Sequence, residues 1–285
     1  MSRSRTPGKT LFSLRSADLL ALALTLPVCP VFAERPAAER ILPVKTSRGL
    51  RLETSFSREN LVPARVYGSW NAANFWFYFP APGKGTAFAQ ASMFTRKEGK
   101  GVLTAVGAYK DWGTAFYTYT SLAAGSNAGF LPKFRADNDL NFKVLRDKSL
   151  VLTGGASYIA YHDVHRDLLL SAGATLYRNP LIISYRAFHN KSDPGAVGSW
   201  THVESAGYGY EGRHWTFFTW STGKQAYLAT ALNDPQEVRQ NAAGWTLTHR
   251  RWLTKGFGLT GEASRSEIKD GYTRNGFALG CFQIF

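Results

Sequence analysis

Histidine is the residue type in this chain with the widest chemical range, and the sequence contains six, at positions 162, 165, 189, 202, 214 and 249. His162, Asp163 and His165 lie close enough together to be candidate metal ligands. Their spacing is too tight to define a metal site, and a solvated polar loop is the preferred interpretation. The sequence therefore predicts neither a metal site nor a cofactor.

A second kind of chemistry would pair a serine nucleophile with a histidine base, which must lie within hydrogen-bond distance of each other. The candidates are Ser199, Ser205, Ser221, His202 and His214. Nothing in their spacing singles out a pair. The glycine-rich pieces at 154–155 and 207–209 precede no predicted helix and are not phosphate loops. We therefore predict that the protein is not an enzyme.

The chain is strongly basic, with a formal charge of +14. Removing the four cations and one aspartate of residues 1–33 leaves +11. Such a balance favours acidic partners, and in an exported protein these are anionic lipids or polysaccharides rather than nucleic acid. The alternative is a solvated surface that happens to be basic.

The N-terminus has the pattern of an export signal. A basic start is followed by an apolar core at 19–28 and by small residues at 31–33, which predicts cleavage after Ala33. Cys29 suggests a lipoprotein only weakly, because residues 26–28 lack the small side chains of that signal. Cleavage would leave Cys281 as the one cysteine and exclude an intramolecular disulfide. Residues 34–47, with two prolines, are predicted to form a periplasmic leader.

From residue 48 onward, segments of about ten residues rich in aromatic and β-branched side chains alternate with turn clusters. No later segment reaches the about 18 consecutive apolar residues of a membrane helix. The predicted strands are 48–57, 70–80, 85–96, 100–110, 113–122, 136–146, 149–162, 166–178, 180–190, 198–210, 212–222, 238–253, 256–266 and 272–285.

The connections between these strands alternate in length. One set is short (81–84, 111–113, 147–148, 179, 211 and 254–255), and most of the other set is longer (58–69, 123–135, 191–197, 223–237 and 267–271). Short turns on one side and long loops on the other are typical of membrane β-barrels. The sequence therefore predicts an all-β fold over 48–285, a single antiparallel transmembrane β-barrel. It has fourteen strands, or twelve if the first pair lies outside the membrane.

Charged side chains within the strands indicate which face looks into the lumen. A Lys or Arg on the lipid face near the membrane centre costs about 2–4 kcal/mol, and such side chains should therefore point inward. In 198–210 both faces contain small and aromatic residues. Only His202 and Glu204 indicate which face of this strand looks into the lumen. The predicted lumen-facing residues are Lys143, Arg186, Glu204, Arg250 and Glu262.

The last strand ends in an apolar run without a polar tail. Phe277, Leu279, Cys281 and Phe285 share one face with Gln283, and we expect this face to contact lipid. The strand would close the barrel against 48–57 and leave no open edge. A terminal Phe285 resembles the mark that outer-membrane barrels present to the barrel assembly machinery.

Several segments resemble the YaiO family of outer-membrane β-barrel proteins: LPKFR at 131–135, GASYIAY at 155–161, ATLYR at 174–178 with SYR at 184–186, RRW at 250–252 with GFGL at 256–259, and YTRNGFALG at 272–280. The resemblance implies a location in the outer membrane of a Gram-negative bacterium, among outer-membrane lipid and lipopolysaccharide. It also implies a link to exopolysaccharide production or export, and no catalytic residue.

The leading hypothesis is a non-enzymatic barrel that acts as a conduit or docking component for an anionic exopolysaccharide. The alternatives are a structural or interaction barrel with a plugged lumen and, less strongly supported, an outer-membrane lipid-modifying enzyme. Fourteen strands lie between the filled barrels of about eight strands and the open channels of about sixteen, so a narrow pore and a plugged lumen both stay open.

Overall fold

The computed structural model describes residues 49–229 and 236–285. The predicted export signal, the cleavage site, Cys29 and the leader lie outside these residues. Fourteen antiparallel strands form one closed barrel in which each strand pairs with its neighbours in the chain. They are β1 (Arg51–Val62), β2 (Ser69–Ala81), β3 (Gly85–Arg96), β4 (Gly99–Asp111), β5 (Phe116–Gly125), β6 (Phe134–Val144), β7 (Leu150–Ala160), β8 (Arg166–Arg178), β9 (Leu181–Asp193), β10 (Val197–Tyr210), β11 (His214–Ala229), β12 (Gln236–Trp252), β13 (Phe257–Ile268) and β14 (Thr273–Ile284).

A single short helix, α1 (Ala64–Tyr67), interrupts the strands of the described chain. Within the same residues, no helix has the length and apolar character needed to cross a membrane.

The barrel closes through its first and last strands. β1 pairs with β14 along its whole length, from Arg51 opposite Ile284 to Val62 opposite Thr273. Beyond these pairs, the Phe285 N–H donates to the Leu50 carbonyl at 2.9 Å. The prediction of fourteen strands is therefore confirmed, and the twelve-strand alternative is wrong because β1 and β2 belong to the closed ladder.

Side chains alternate between the two faces of the wall. Large apolar side chains are exposed on the outward face of most strands, including Phe56, Val106, Leu170, Ile183 and Leu279. In β14 the exposed Phe277 and Leu279 share the outward face with Gln283, and the exposed Phe285 follows the end of the strand. Gln283 lies at the end of the barrel, where its amide donates to the Ile284 carbonyl at 3.1 Å.

One end of the barrel carries the tight turns and the first and last described residues, Gly49 and Phe285, and we call it the turn end. The opposite end is the loop end. Several connections at the loop end are shorter than the sequence predicted, because β1, β9 and β13 continue to Val62, Asp193 and Ile268. Where the paired strands extend beyond the apolar outward face into water, they can carry polar side chains. The change in composition therefore marks the membrane boundary and not the strand end.

The hairpin of β11 and β12 projects beyond its neighbours at the loop end. β10 pairs with β11 only as far as Gly223, and β13 pairs with β12 only as far as Ala242. The two strands continue to pair with each other up to Ala229 opposite Gln236. Most of the predicted 223–237 loop is therefore strand, and its tip lies outside the described residues.

An apolar cluster lies inside the loop end, and we call it the mouth cluster. It consists of Leu61, Tyr67, Trp70, Ala242, Ile268 and Tyr272. The rings of Tyr67 and Tyr272 are 5.0 Å apart. Burial raises the pKa of the Tyr272 hydroxyl to about 12. The cluster holds α1 against the rim of the barrel.

We expect Leu61→Ala to lower the free energy of unfolding by about 2–5 kcal/mol, because it leaves a cavity in the mouth cluster. Leu61 is 0% exposed, whereas the adjacent Val62 is 56% exposed. Val62→Ala is therefore the matched control. Thermal unfolding of the folded barrel in detergent, followed by its heat-modifiable gel mobility, measures the effect, and equal midpoints for the two variants would contradict it.

Candidate functional site

The candidate site is the lumen, whose wall is formed by the inward faces of all fourteen strands. Its turn half is lined with aromatic rings in two clusters. The first contains Tyr78, Phe88 and Tyr119 with Trp76 and Tyr109, and the Phe88 and Tyr119 rings stack at 5.9 Å. Ring faces and edges are thereby presented along this half of the wall.

The second aromatic cluster contains Ile182, Trp215, Phe217, Trp252 and Phe282, with Tyr177 beside it. Its Phe217 and Phe282 rings lie close against the wall because glycines on neighbouring strands leave room. A Cβ added at Gly207 would lie 2.2 Å from the Phe217 ring, and one at Gly258 would lie 2.2 Å from the Phe282 ring. Glycine is required at both positions by close approach.

Buried ion pairs tie distant strands together across the lumen. Glu53 on β1 accepts a hydrogen bond from Arg250 Nη2 on β12, although β13 and β14 lie between them. Arg51 Nε is 3.0 Å from Glu53 Oε1. The Arg250 guanidinium also lies 4.4 Å from the centre of the Phe282 ring. The Glu53–Arg250 pair therefore lies between a second cation, Arg51, and the aromatic ring of Phe282.

A second pair joins Arg186 on β9 to Asp139 on β6. Arg186 donates to both carboxylate oxygens of Asp139, with Nη1 to Oδ2 at 3.0 Å, and Nη2 also donates to Ser171 Oγ at 2.7 Å. This fork borders a cavity of about 40 Å³ that Tyr117 and Tyr177 also line. A cavity of this size holds a few water molecules.

Two further groups repeat the arrangement nearer the loop end. Arg135 donates to both oxygens of Asp137, which also accepts from Ser121 Oγ at 2.9 Å. Arg274 contacts Glu59 at 3.4 Å and donates to Ser266 Oγ at 3.1 Å.

The charges of the lumen balance. The inward faces of the described strands carry as many basic as acidic side chains: Arg51, Arg96, Arg135, Lys143, Arg186, Arg250 and Arg274 against Glu53, Glu59, Asp111, Asp137, Asp139, Asp167 and Glu262. The excess positive charge of the described chain must therefore lie outside the lumen.

Much of that excess surrounds the turn end, and we call this ring of side chains the turn rim. Its basic members are Lys84, Lys110, Arg146, Lys148, Arg178, Arg213, Arg251 and Lys255, and its acidic members are Asp147 and Glu211. The Lys110 ammonium lies 3.8 Å from the centre of the Trp112 ring. Asp111 is also at this end, but it contacts Lys143 at 3.5 Å.

Four of the five side chains predicted to face the lumen lie on the inward face. Arg186 and Arg250 form the pairs described above, and Lys143 lies at the turn end, 5.0 Å above the centre of the Tyr117 ring. Glu262 accepts from Thr248 Oγ1 at 3.2 Å.

Glu204 lies instead on the outward face, so its assignment to the lumen needs correction. It shares that face with Trp200 and Tyr208, which are 55% and 51% exposed, while Val203 and Ser205 are buried inside. The lumen beside β10 is filled with small neutral side chains, and charge was therefore a misleading guide. The aromatic residues at even positions were the better signal.

Sequence reasoning missed the acidic partners in the lumen. The alternation of Arg135, Asp137, Asp139, Asn141 and Lys143 on one face of β6 was a visible signal for some of them. The pairing of Glu53 with Arg250 had no such signal, since it depends on the closure of the barrel.

The candidate catalytic groups do not converge. His202 and His214 lie on the outward face, whereas Ser199, Ser205 and Ser221 have inward positions in their strands. His165 Nδ1 lies 2.7 Å from Asp163, and His162 Nε2 lies 2.9 Å from the Ser126 carbonyl oxygen. Among residues 49–229 and 236–285, no three His, Cys, Asp or Glu side chains are grouped to hold a metal ion.

Solved structures with the same kind of barrel are similar to this chain. The CymD monoaromatic hydrocarbon channel has a TM-score of 0.54 at 6% identity, covering 84% of this chain and 89% of that one. A bacterial polysaccharide outer membrane secretin has a TM-score of 0.53 at 9% identity, covering 84% and 99%. The translocator domain of the autotransporter NalP from Neisseria meningitidis has a TM-score of 0.47 at 12% identity, covering 89% and 95%. At these identities the likeness shows the fold alone.

No curated protein sequence matches the chain. The model of the YaiO membrane β-barrel domain matches residues 51–228, which run from the start of β1 into β11. This match covers more than half of the sequence and agrees with the resemblance seen in its strand and turn segments. The chain therefore belongs to the YaiO family of outer-membrane β-barrels.

Proposed function

We propose that this barrel is a passive conduit or docking component for an anionic exopolysaccharide. The observation that carries the proposal is the separation of charge: the turn rim is strongly basic, while the lumen behind it is balanced and aromatic. The cations of the rim attract the polymer. The lumen contacts it without an excess of positive charge that would bind it too tightly for release.

The position of the turn rim supports this assignment. Outer-membrane barrels place their short turns in the periplasm, which is the side from which an exported polymer arrives. Clustered cations raise the local concentration of an acidic ligand and its association rate. Arginine guanidinium groups such as those of Arg146 and Arg213 suit carboxylate and sulfate or phosphate groups, because they donate two parallel hydrogen bonds.

The lining of the lumen supports the choice of a carbohydrate. Sugar rings present C–H groups on their faces and hydroxyl groups at their edges. The faces of aromatic rings carry partial negative charge and attract such C–H groups, while paired Arg and Asp side chains supply donors and acceptors. Conduction requires binding that is favourable enough for entry and weak enough for release, which a balanced lumen provides.

Planar bilayer recording of the reconstituted barrel tests the proposal. An acidic oligosaccharide added on the turn side should produce transient current blocks, and a neutral oligosaccharide of equal length should produce far fewer. A silent bilayer that no oligosaccharide affects would contradict the conduit, and it would favour the interaction barrel with a plugged lumen.

Charge reversal on the turn rim tests its role. In R146E/K255E the frequency of blocks from the turn side should fall about tenfold at low salt, because electrostatic steering is lost. The difference should vanish near 1 M salt, where charges are screened within about 3 Å. K133E changes an exposed charge near the loop end and is the control; an equal loss in K133E would refute the assignment.

Removal of one lumen charge should alter ion selectivity. In R186Q the carboxylate of Asp139 loses its partner, and the reversal potential in a salt gradient should shift toward cation selectivity. The double variant D139N/R186Q restores balance and should return the potential to the wild-type value. R186Q should also be less stable by about 3–5 kcal/mol, the usual effect of leaving a buried charge unpaired. An unchanged potential in a folded, conducting R186Q barrel would show that this pair does not line the path.

A further inference from the structure

The outward face of β9, β10 and β11 carries an acidic side chain halfway up the barrel wall. Glu204 lies near the middle of β10, between the exposed Trp200 and Tyr208 on the same face. Its cross-strand neighbours are Tyr185 on β9 and Trp220 on β11, both also exposed. Glu204 therefore faces the apolar centre of the membrane.

This position is exceptional in the described barrel. Elsewhere the mid-strand outward positions hold apolar residues such as Phe56, Val106, Leu247 and Leu279, or the uncharged Thr104, whose hydroxyl donates to the Ala124 carbonyl at 3.4 Å. Asn138 on β6 is polar and exposed, but its amide donates to Thr120 Oγ1 at 2.8 Å on the neighbouring strand. Glu204 makes no hydrogen bond or ion pair within the described chain. Ionisable groups at this depth are costly and as a rule have a partner.

Hydrogen-bond donors lie directly beside Glu204. The Tyr185 hydroxyl is 2.8 Å from His202 Nδ1. If Tyr185 donates this bond, Nδ1 accepts it and the N–H of the His202 ring lies on Nε2. If His202 donates it, the Tyr185 O–H is free. In either arrangement the pair keeps one donor that can point outward, next to a carboxylate that needs one.

We propose that this face, formed by Tyr185, His202, Glu204 and the flanking Trp200 and Trp220, binds a second copy of the chain and forms a two-fold dimer within the membrane. A surface that contains both an acceptor and its donors side by side is self-complementary, as a two-fold interface requires. The complementarity of the anionic Glu204 acceptor with the hydrogen-bond donor of the Tyr185–His202 pair selects this occupant.

The topology of insertion fixes the direction of the axis. Both copies insert with their turns on the same side of the membrane, and the two-fold axis therefore runs along the membrane normal. Residues then meet at equal heights. Tyr185 is paired with Glu204 across β9 and β10, and its hydroxyl reaches His202 on the loop side of Glu204. An axis that passes between the two strands therefore brings each carboxylate next to the donor pair of the other copy.

The surrounding surface suits close contact. The small Ala187 and Ala206 lie on the same outward face, and small residues allow two membrane walls to approach. The Trp200 ring contacts His189 at 4.8 Å. The large ring of Trp200 beside the small Ala187 and Ala206 gives this face the uneven shape that two surfaces need in order to interdigitate.

Single-molecule photobleaching of the fluorescently labelled full-length chain in phosphatidylcholine bilayers tests the dimer. Two-step bleaching should predominate for the wild type. E204L should reduce the association constant at least tenfold while remaining folded, as judged by heat-modifiable gel mobility. N138L, which removes a polar side chain from the outward face of β6, is the matched control and should leave two-step bleaching unchanged.

Two further variants keep the proposal falsifiable if E204L fails to fold. E204Q preserves size and should weaken the dimer, and the exchange E204H/H202E should restore it relative to either single change, because donor and acceptor only trade places. A wild-type barrel that bleaches in one step at all densities would overturn the proposal. So would dimers that E204L and E204Q leave as stable as those of the wild type.

Discussion

Everything in this barrel depends on the need to pair every backbone N–H and C=O within the membrane, where no water is present to replace a lost partner. The full-length pairing of β1 with β14 meets this need, since it leaves no strand edge open. Once the ladder is closed, the alternation of side chains is fixed for all fourteen strands. Each strand residue then faces either the apolar exterior or the enclosed lumen. Which of the two a charged side chain faces depends on whether its strand position is odd or even.

Closure also explains the lumen pairs. Glu53 and Arg250 are far apart in sequence and come together because the first strands meet the last ones. Arg186 and Asp139 reach each other across two intervening strands, which the curvature of the wall allows. These pairs stabilise the interior of the barrel, as packed side chains stabilise the core of a water-soluble domain. They do so through hydrogen-bonded charges and not through apolar contacts.

The sequence predicted the fold well where chemistry and geometry gave the same signal. In the central parts of β9 and β13, apolar outward residues such as Ile183 and Leu259 alternate with polar inward ones, and the predicted inward positions of Arg186 and Glu262 agree with the structure. The prediction failed for Glu204 because an acidic residue was taken as a sign of the lumen, whereas the inward positions of β10 hold small neutral side chains. Loop lengths were overestimated because strands such as β11 and β12 continue above the apolar band with polar side chains. Register across the seam has no local signature, so the pairs of Arg250 with Glu53 and of Arg274 with Glu59 could not be predicted.

The balance of charge inside the lumen has a consequence for the range of its electric field. A close pair of opposite charges, such as Arg186 with Asp139, has a field that decays much faster with distance than that of a single charge. A dissolved ion would therefore sense the wall of the lumen only on near contact, whereas unpaired cations such as Lys255 act over about one Debye length, roughly 10 Å at 0.1 M salt. Long-range attraction thus belongs to the turn rim, and short-range contact belongs to the lumen. Ionic strength should change the attraction strongly and the contacts in the lumen very little.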